Sequence, residues 1–183
     1  MYWVDPNMGM SHDAIYVFCD MASGATCVQP DRAVRQVSPK QWRKSGAQPS
    51  WFSQLNGGFR ITYETVGSVQ MSFLRMLSSH ASQNITFSCI NTVVWREGST
   101  NSFRLASKLM GENEAEFSHT AAGELRPKVL RDDCQSGSPQ LGETVLEVAT
   151  KKLGRLPIVD FQPVDIGQSQ QGLGFLLGPL CFA

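Results

Sequence analysis

Asp5, Asn7 and Asp13 place three side chains bearing carboxylate or amide oxygens within nine residues, Asp5-Pro6-Asn7-Met8-Gly9-Met10-Ser11-His12-Asp13. Pro6 and Gly9 favour a turn and oppose a helix. A loop of this composition can gather side-chain oxygens and its own carbonyls around one point. A hard cation such as Ca²⁺ suits such a point, because it accepts about six to eight oxygens in loose geometry. The spacing is not that of an EF-hand loop, which needs Gly at its sixth position and Glu at its twelfth; counted from Asp5, those positions hold Met10 and Tyr16. The same residues also suit an Asx-turn between two strands, with Asp and Asn capping their own backbone.

Other reactive groups are scattered. His12, His80 and His119 accompany no nucleophile motif such as GxSxG. His12 lies in the loop, but a hard cation prefers oxygen, so this ring is expected to face solvent. Cys19 as a nucleophile would need a setting that lowers its pKa, and the sequence supplies none. The chain is therefore not read as an enzyme. Five cysteines, Cys19, Cys27, Cys89, Cys134 and Cys181, form no CxxC pair and have no His at zinc-finger spacing. An odd count leaves one whose partner is missing or on another chain. The sequon Asn84-Ile85-Thr86 permits N-glycosylation and, with the cysteines, points to an oxidising secretory compartment.

With 183 residues the chain is long enough for one domain with a real core. Lys plus Arg equals Asp plus Glu at 16 each, so neither a basic face for nucleic acid nor an acidic tail is expected. No apolar run approaches the roughly 18 to 20 residues of a membrane span. The opening Met-Tyr-Trp-Val-Asp has neither the basic nor the apolar region of a signal peptide. Either Met1 is an artificial start, or the chain is a piece of a longer one.

The elements that must position the loop follow from periodicity. Residues 14–19 and 26–28 read as strands around a Ser23-Gly24 turn. Residues 29–58 are loop-rich, with Trp42, Trp51 and Phe52 as anchors to the core. Residues 59–65 alternate Phe59, Ile61, Tyr63 against polar neighbours, a strand pattern. Residues 66–81 switch to helical spacing, with Val66, Val69, Phe73 and Leu77 as the core stripe, widened by Leu74 and Met76. Residues 84–90 alternate again, and a glycan on Asn84 would stand at the exposed head of that strand. Residues 103–110, 128–131, 144–150 and 156–159 are further strand candidates. Residues 98–102 read as a hairpin turn, residues 135–142 as a surface loop, and the chain ends in an apolar segment, 172–182. Many short strands with one helix make an α+β pattern.

The segments Tyr-Trp-Val-Asp-Pro-Asn at 2–7, Asp-Ala-Ile at 13–15, Val-Phe-Cys-Asp-Met at 17–21 and Thr-Cys-Val at 26–28 resemble the C-terminal propeptide of fibrillar collagens. So do Phe-Leu-Arg-Met-Leu-Ser-Ser at 73–79, Ala-Ser-Gln-Asn-Ile-Thr at 81–86, Lys-Leu-Met-Gly at 108–111, Arg-Leu-Pro-Ile-Val-Asp at 155–160, Val-Asp-Ile-Gly at 164–167 and Gly-Pro-Leu-Cys-Phe at 178–182. The matches run in order over essentially the whole chain, so residues 1–183 are expected to be one such domain without its upstream stalk and triple helix.

The resemblance implies a globular petal similar to fibrinogen-related domains, with short antiparallel strands, one clear helix, long loops and disulfide staples. It implies Ca²⁺ binding, with Asp5, Asn7 and Asp13 as side-chain ligands and Met8 and Met10 as backbone-carbonyl ligands. It pairs Cys27 with Cys181 and Cys89 with Cys134, closures of roughly 4 to 5 kcal/mol each as upper figures. It gives Cys19 a partner in the upstream segment. The implied role is that of a secreted extracellular-matrix structural protein, folded in the endoplasmic reticulum and then cleaved off outside the cell. The domain would select and register chains for a homo- or heterotrimer, with two further collagen chains as partners and matrix or procollagen-processing proteins as others. Chain choice would map to about residues 58–81, with Arg60, Glu64 and Gln70 as polar discriminators. Met10 stands where the family usually has an interchain Cys, so covalent linkage through this position is lost. A free-standing fibrinogen-like recognition module for a glycan or matrix protein is the competing expectation.

Overall fold

The computed structural model describes residues 1–183. It contains strands β1 (Tyr2–Val4), β2 (Ile15–Asp20), β3 (Ala25–Val28) and β4 (Gln36–Lys40), then helix α1 (Ser68–Met76). Strands β5 (Ala81–Ile90), β6 (Lys108–Gly111), β7 (Glu116–Phe117), β8 (Lys128–Asp132), β9 (Gly142–Thr150), β10 (Ile158–Gln162) and β11 (Gly172–Phe182) follow. All strand pairs are antiparallel. The larger sheet runs β1-β2-β3-β11-β5-β9-β8, with β4 also pairing with β11, and the smaller runs β10-β6-β7. One helix among antiparallel strands agrees with the α+β expectation.

Strand β11 is the spine. Its apolar residues 172–182 pair with β5 along one edge, and with β4 and then β3 along the other. The inward residues of β5, from Ala81 through Gln83, Ile85 and Phe87 to Cys89, alternate strictly with outward ones. Phe161 of β10 stacks on Phe52 at 4.6 Å, and Trp42 and Phe175 meet Phe52 edge-on. The Trp42 indole N–H donates to the Leu173 carbonyl at 2.8 Å. Trp42 and Phe52 thus anchor the loop-rich segment to the core, while Trp51 is only half-buried. Gly58 lies so close to residue 52 that a Cβ there would sit 1.8 Å from the Phe52 carbonyl oxygen.

Cys27 and Cys181 form a disulfide between neighbouring positions of β3 and β11, and Cys89 and Cys134 join the end of β5 to the loop after β8. Cys19 is unpaired and half-buried.

Several expectations need correction. Residues 59–65 form no strand: 59–63 are irregular and 64–66 turn, because their polar groups go elsewhere. The Ile61 N–H donates to the Val159 carbonyl, the Asp31 N–H to the Thr62 carbonyl, and the Tyr63 hydroxyl to the Ile158 carbonyl. The Asp31 carboxylate accepts from the Thr62 and Thr65 hydroxyls and from the Glu64 and Thr65 N–H groups. A side chain thus takes the place of a neighbouring strand. The helix is shorter than 66–81 and starts behind Gly67, whose φ of 78° suits glycine. Its buried face is Gln70, Met71 and Leu74; Val69, Met76 and Leu77 face solvent. Residues 103–107 turn rather than extend, and the strand begins at Lys108. Strand β4 was not anticipated, since polar residues and Pro39 hide it. Asn84 is the fourth residue of β5, not its head, and points out of the sheet's outer face.

Candidate functional site: the 5–13 loop and its support on helix α1

The loop leaves β1 at Val4 and returns into β2 at Ile15, two strands in register through Tyr2–Val17, Trp3–Tyr16 and Val4–Ile15. The two ends of the loop are therefore fixed side by side. Within it, the Met8 N–H donates to the Asp5 carbonyl at 3.3 Å, and the Asp13 N–H to the Met10 carbonyl at 3.2 Å. Met8 adopts a left-handed φ of 51°, uncommon for a side chain other than Asn or Asp. Residues 11–13 form a short 3₁₀ turn that brings Asp13 back toward the first half of the loop.

Asn7 and Asp13 meet directly. The Asn7 amide Nδ2–H donates to Asp13 Oδ2 at 2.9 Å, and the Gly9 N–H donates to Asn7 Oδ1 at 3.1 Å. The latter is the Asx-turn anticipated from the sequence. The other carboxylate oxygens are not satisfied: Asp5 Oδ1 and Asp13 Oδ1 are both buried without a donor. Leaving such acceptors unpaired costs about 1 to 3 kcal/mol each, more when charged. Unpaired carboxylate oxygens are hard donors, a chemistry that suits a cation such as Ca²⁺. No three His, Cys, Asp or Glu side chains converge anywhere in the molecule. A cation held here would need further oxygens from amide and backbone groups. The side chains of Met8 and Met10 are 91% and 71% exposed, so only their carbonyls could serve. His12 is exposed, as expected.

A second element reaches the loop. The Gln70 Nε2–H of α1 donates to the Asp13 backbone carbonyl at 2.9 Å. A groove between the loop and the start of the helix is lined by His12, Asp13, Glu64 and Gln70. Gln70, expected as a solvent-facing discriminator, is 4% exposed and cannot meet a partner chain directly. Arg60 and Glu64 are exposed. The contact from Gln70 spans 57 residues of sequence. Its only sequence signal is a polar residue placed one position from a helix's apolar stripe.

Nothing resembling a catalytic relay accompanies the loop. Ser79 Oγ lies 3.1 Å from His80 Nδ1, but the two are adjacent on an exposed turn and no carboxylate is hydrogen-bonded to the ring. His119 is stacked on Phe103 at 5.3 Å, and its Nδ1 has no hydrogen-bond partner.

The architecture and the loop agree with a family match over nearly the whole chain: the model of the fibrillar collagen C-terminal domain matches residues 1–182. The chain belongs to the fibrillar collagen C-terminal domain family. It is 38% identical over 191 aligned positions to the collagen alpha-1(II) chain of Gallus gallus, and 37% identical over the same length to that of Xenopus tropicalis. Both alignments cover 99% of this chain but only 22% and 13% of those relatives. As a member of this family, the domain carries its two disulfides on β3–β11 and β5–134, and its loop between β1 and β2.

Proposed function

We propose that this domain is the association module of a fibrillar collagen, an extracellular-matrix structural protein. It selects and registers two further collagen chains in a trimer and binds Ca²⁺ through the 5–13 loop. Asp5 and Asp13 would hold the ion with carboxylate oxygens, Asn7 with its amide oxygen, and Met8 and Met10 with backbone carbonyls. The ion would supply positive charge that the two orphaned carboxylate oxygens lack, and so stiffen the turn.

One coincidence carries this reading: the loop with unsatisfied acidic oxygens sits inside the most apolar exposed part of the molecule. Eight of fifteen exposed large hydrophobic residues lie in the first 21, namely Met1, Tyr2, Trp3, Met8, Met10, Tyr16, Phe18 and Met21. Trp3 and Tyr16 pack together at 5.2 Å on the outer face of β1–β2, and Trp3 is 72% exposed. Exposed apolar side chains gathered on one stretch of chain in this way mark a candidate interaction site. The outward face of α1 adds Val69, Met76 and Leu77, and Arg60 and Glu64 stand exposed just before it. Exposed charges beside apolar contacts can accept one partner and penalise another.

Two disulfides suit an extracellular setting. Asn84 on the outer face of β5 would carry a glycan, and the half-buried Cys19 of β2 would pair with an upstream cysteine. Met10 gives the interface no interchain disulfide, so the trimer would be held by apolar contacts and the ion-stiffened loop. Sedimentation velocity in calcium and in chelator tests this. A trimer that dissociates toward monomer in chelator is expected, and a monomer in both would refute it.

A further inference from the structure

Gln70 and Gln83 are both buried glutamines, yet only one is satisfied. Gln83 donates to the Tyr63 hydroxyl and the Gly178 carbonyl, and its Oε1 accepts the Ile158 N–H. Gln70 is 4% exposed, donates to the Asp13 carbonyl, and leaves Oε1 without any donor. Asp160, equally buried, accepts from Ser53 and from its own neighbour Phe161. Five buried side-chain polar atoms in the molecule lack a partner, and three are the oxygens Asp5 Oδ1, Asp13 Oδ1 and Gln70 Oε1. Two of the three residues are joined by one hydrogen bond. Buried polar groups are usually paired, so the orphaned oxygens of Asp13 and Gln70, on two residues bonded to each other, point to a missing positive charge.

We propose that Gln70 is a positioning residue of the cation loop, coupling its occupancy to the order of helix α1. Its N–H fixes the Asp13 backbone and with it the aim of the Asp13 carboxylate. Its free oxygen adds to the negative potential that a cation relieves, directly or through a bound water. Partners of this kind orient metal ligands and set affinity without being the principal ligands. Because coupling is reciprocal, the ion steadies α1 as much as α1 steadies the loop. Val69 and Met76 on the outward face of α1, and Leu77 at its C-cap, would then be held more rigidly for a partner chain when calcium is bound. The inference rests on the cation reading of the loop.

Calcium alone is the probe. Titration calorimetry and hydrogen exchange are run on the wild-type domain, Gln70→Met and Gln70→Glu. The methionine keeps the length and removes both polar atoms. Its calcium affinity is expected to fall about 10-fold or more. Calcium should slow exchange at amides 71–77 in the wild type and leave them unchanged in Gln70→Met. Gln70→Glu keeps an oxygen, adds charge beside Asp13 and loses the N–H. Its melting temperature without calcium should drop, and its calcium-induced rise should exceed that of the wild type. A merely structural glutamine would lower stability in both variants and leave calcium affinity untouched. Wild-type affinity in Gln70→Met, or calcium slowing exchange at amides 71–77 in Gln70→Met as it does in the wild type, overturns the coupling while the loop's cation site stands. No calcium uptake by the wild type overturns both.

Discussion

Replacing Asp31 by alanine should remove about 3 kcal/mol of stability, by freeing the segment that leads into α1. The Asp31 carboxylate accepts a part-buried bond from the Thr62 hydroxyl at 2.6 Å, and exposed bonds from the Thr65 hydroxyl and the Glu64 and Thr65 N–H groups at 2.9, 2.9 and 3.1 Å. The part-buried, charge-assisted bond contributes about 2 kcal/mol; each exposed bond contributes about 0.3 to 0.5, since water can replace the carboxylate there. For a domain of this size, the sum corresponds to a fall in Tm of roughly 6 to 12 °C. Burial alone would raise the Asp31 pKa, but hydrogen bonds from Thr62, Thr65 and Glu64 outweigh it and hold the carboxyl below its usual value of 3.8. Its contribution is therefore complete above pH 3.8 and is lost as pH falls through the lower folded value. Urea denaturation of both proteins across pH, with hydrogen exchange read at Glu64 and Thr65, measures this. The wild type and Asp31→Ala should differ at neutral pH and converge in acid. A loss below about 1 kcal/mol, or a loss with no faster exchange at these two amides, would refute the claim that a side chain substitutes for a strand here.

The Cys89→Ser, Cys134→Ser double variant opens a loop with a sequence separation of 45 and should lose up to about 4 kcal/mol in urea, less if the reduced unfolded chain keeps residual structure. His119 lies against Phe103 and Trp95 with Nδ1 buried and unpartnered, and burial, then the charges of Arg126 and Lys108, hold its pKa below 6.5. Stability should thus fall as pH drops from 6.5 through the folded value, and His119→Phe should flatten that part of the stability–pH curve. Gly58→Ala forces a Cβ to within 1.8 Å of the Phe52 carbonyl oxygen, and should cost at least about 3 kcal/mol by thermal or chemical denaturation.

The strands with one buried face could be read from the chain directly. Ile85, Phe87 and Cys89 alternate because β5 is covered on one side only, and the apolar run 172–182 reads as continuous because β11 lies at the centre of the sheet. Strand β4 could not be read, since Gln36–Lys40 is polar and extends only because β11 offers it an edge. The alternation of Phe59, Ile61 and Tyr63 reported burial correctly, with Ile61 inside, but not which groups take the backbone hydrogen bonds. The helix was visible in the periodicity, yet its inner face was not: Val69 and Leu77 are apolar and point outward, where an association surface would use them. The loop was legible because its oxygens are contiguous in sequence. The contact of Gln70 with the Asp13 carbonyl was not, because a bond across 57 residues leaves no local pattern.

A calcium titration of the wild-type domain beside Asp13→Ala is the measurement that bears most directly on the cation loop. One site in the millimolar range or tighter is expected for the wild type, about 10⁻³ M or below, with binding abolished in Asp13→Ala. Absence of binding to the folded wild type, or equal binding by both proteins, would contradict it.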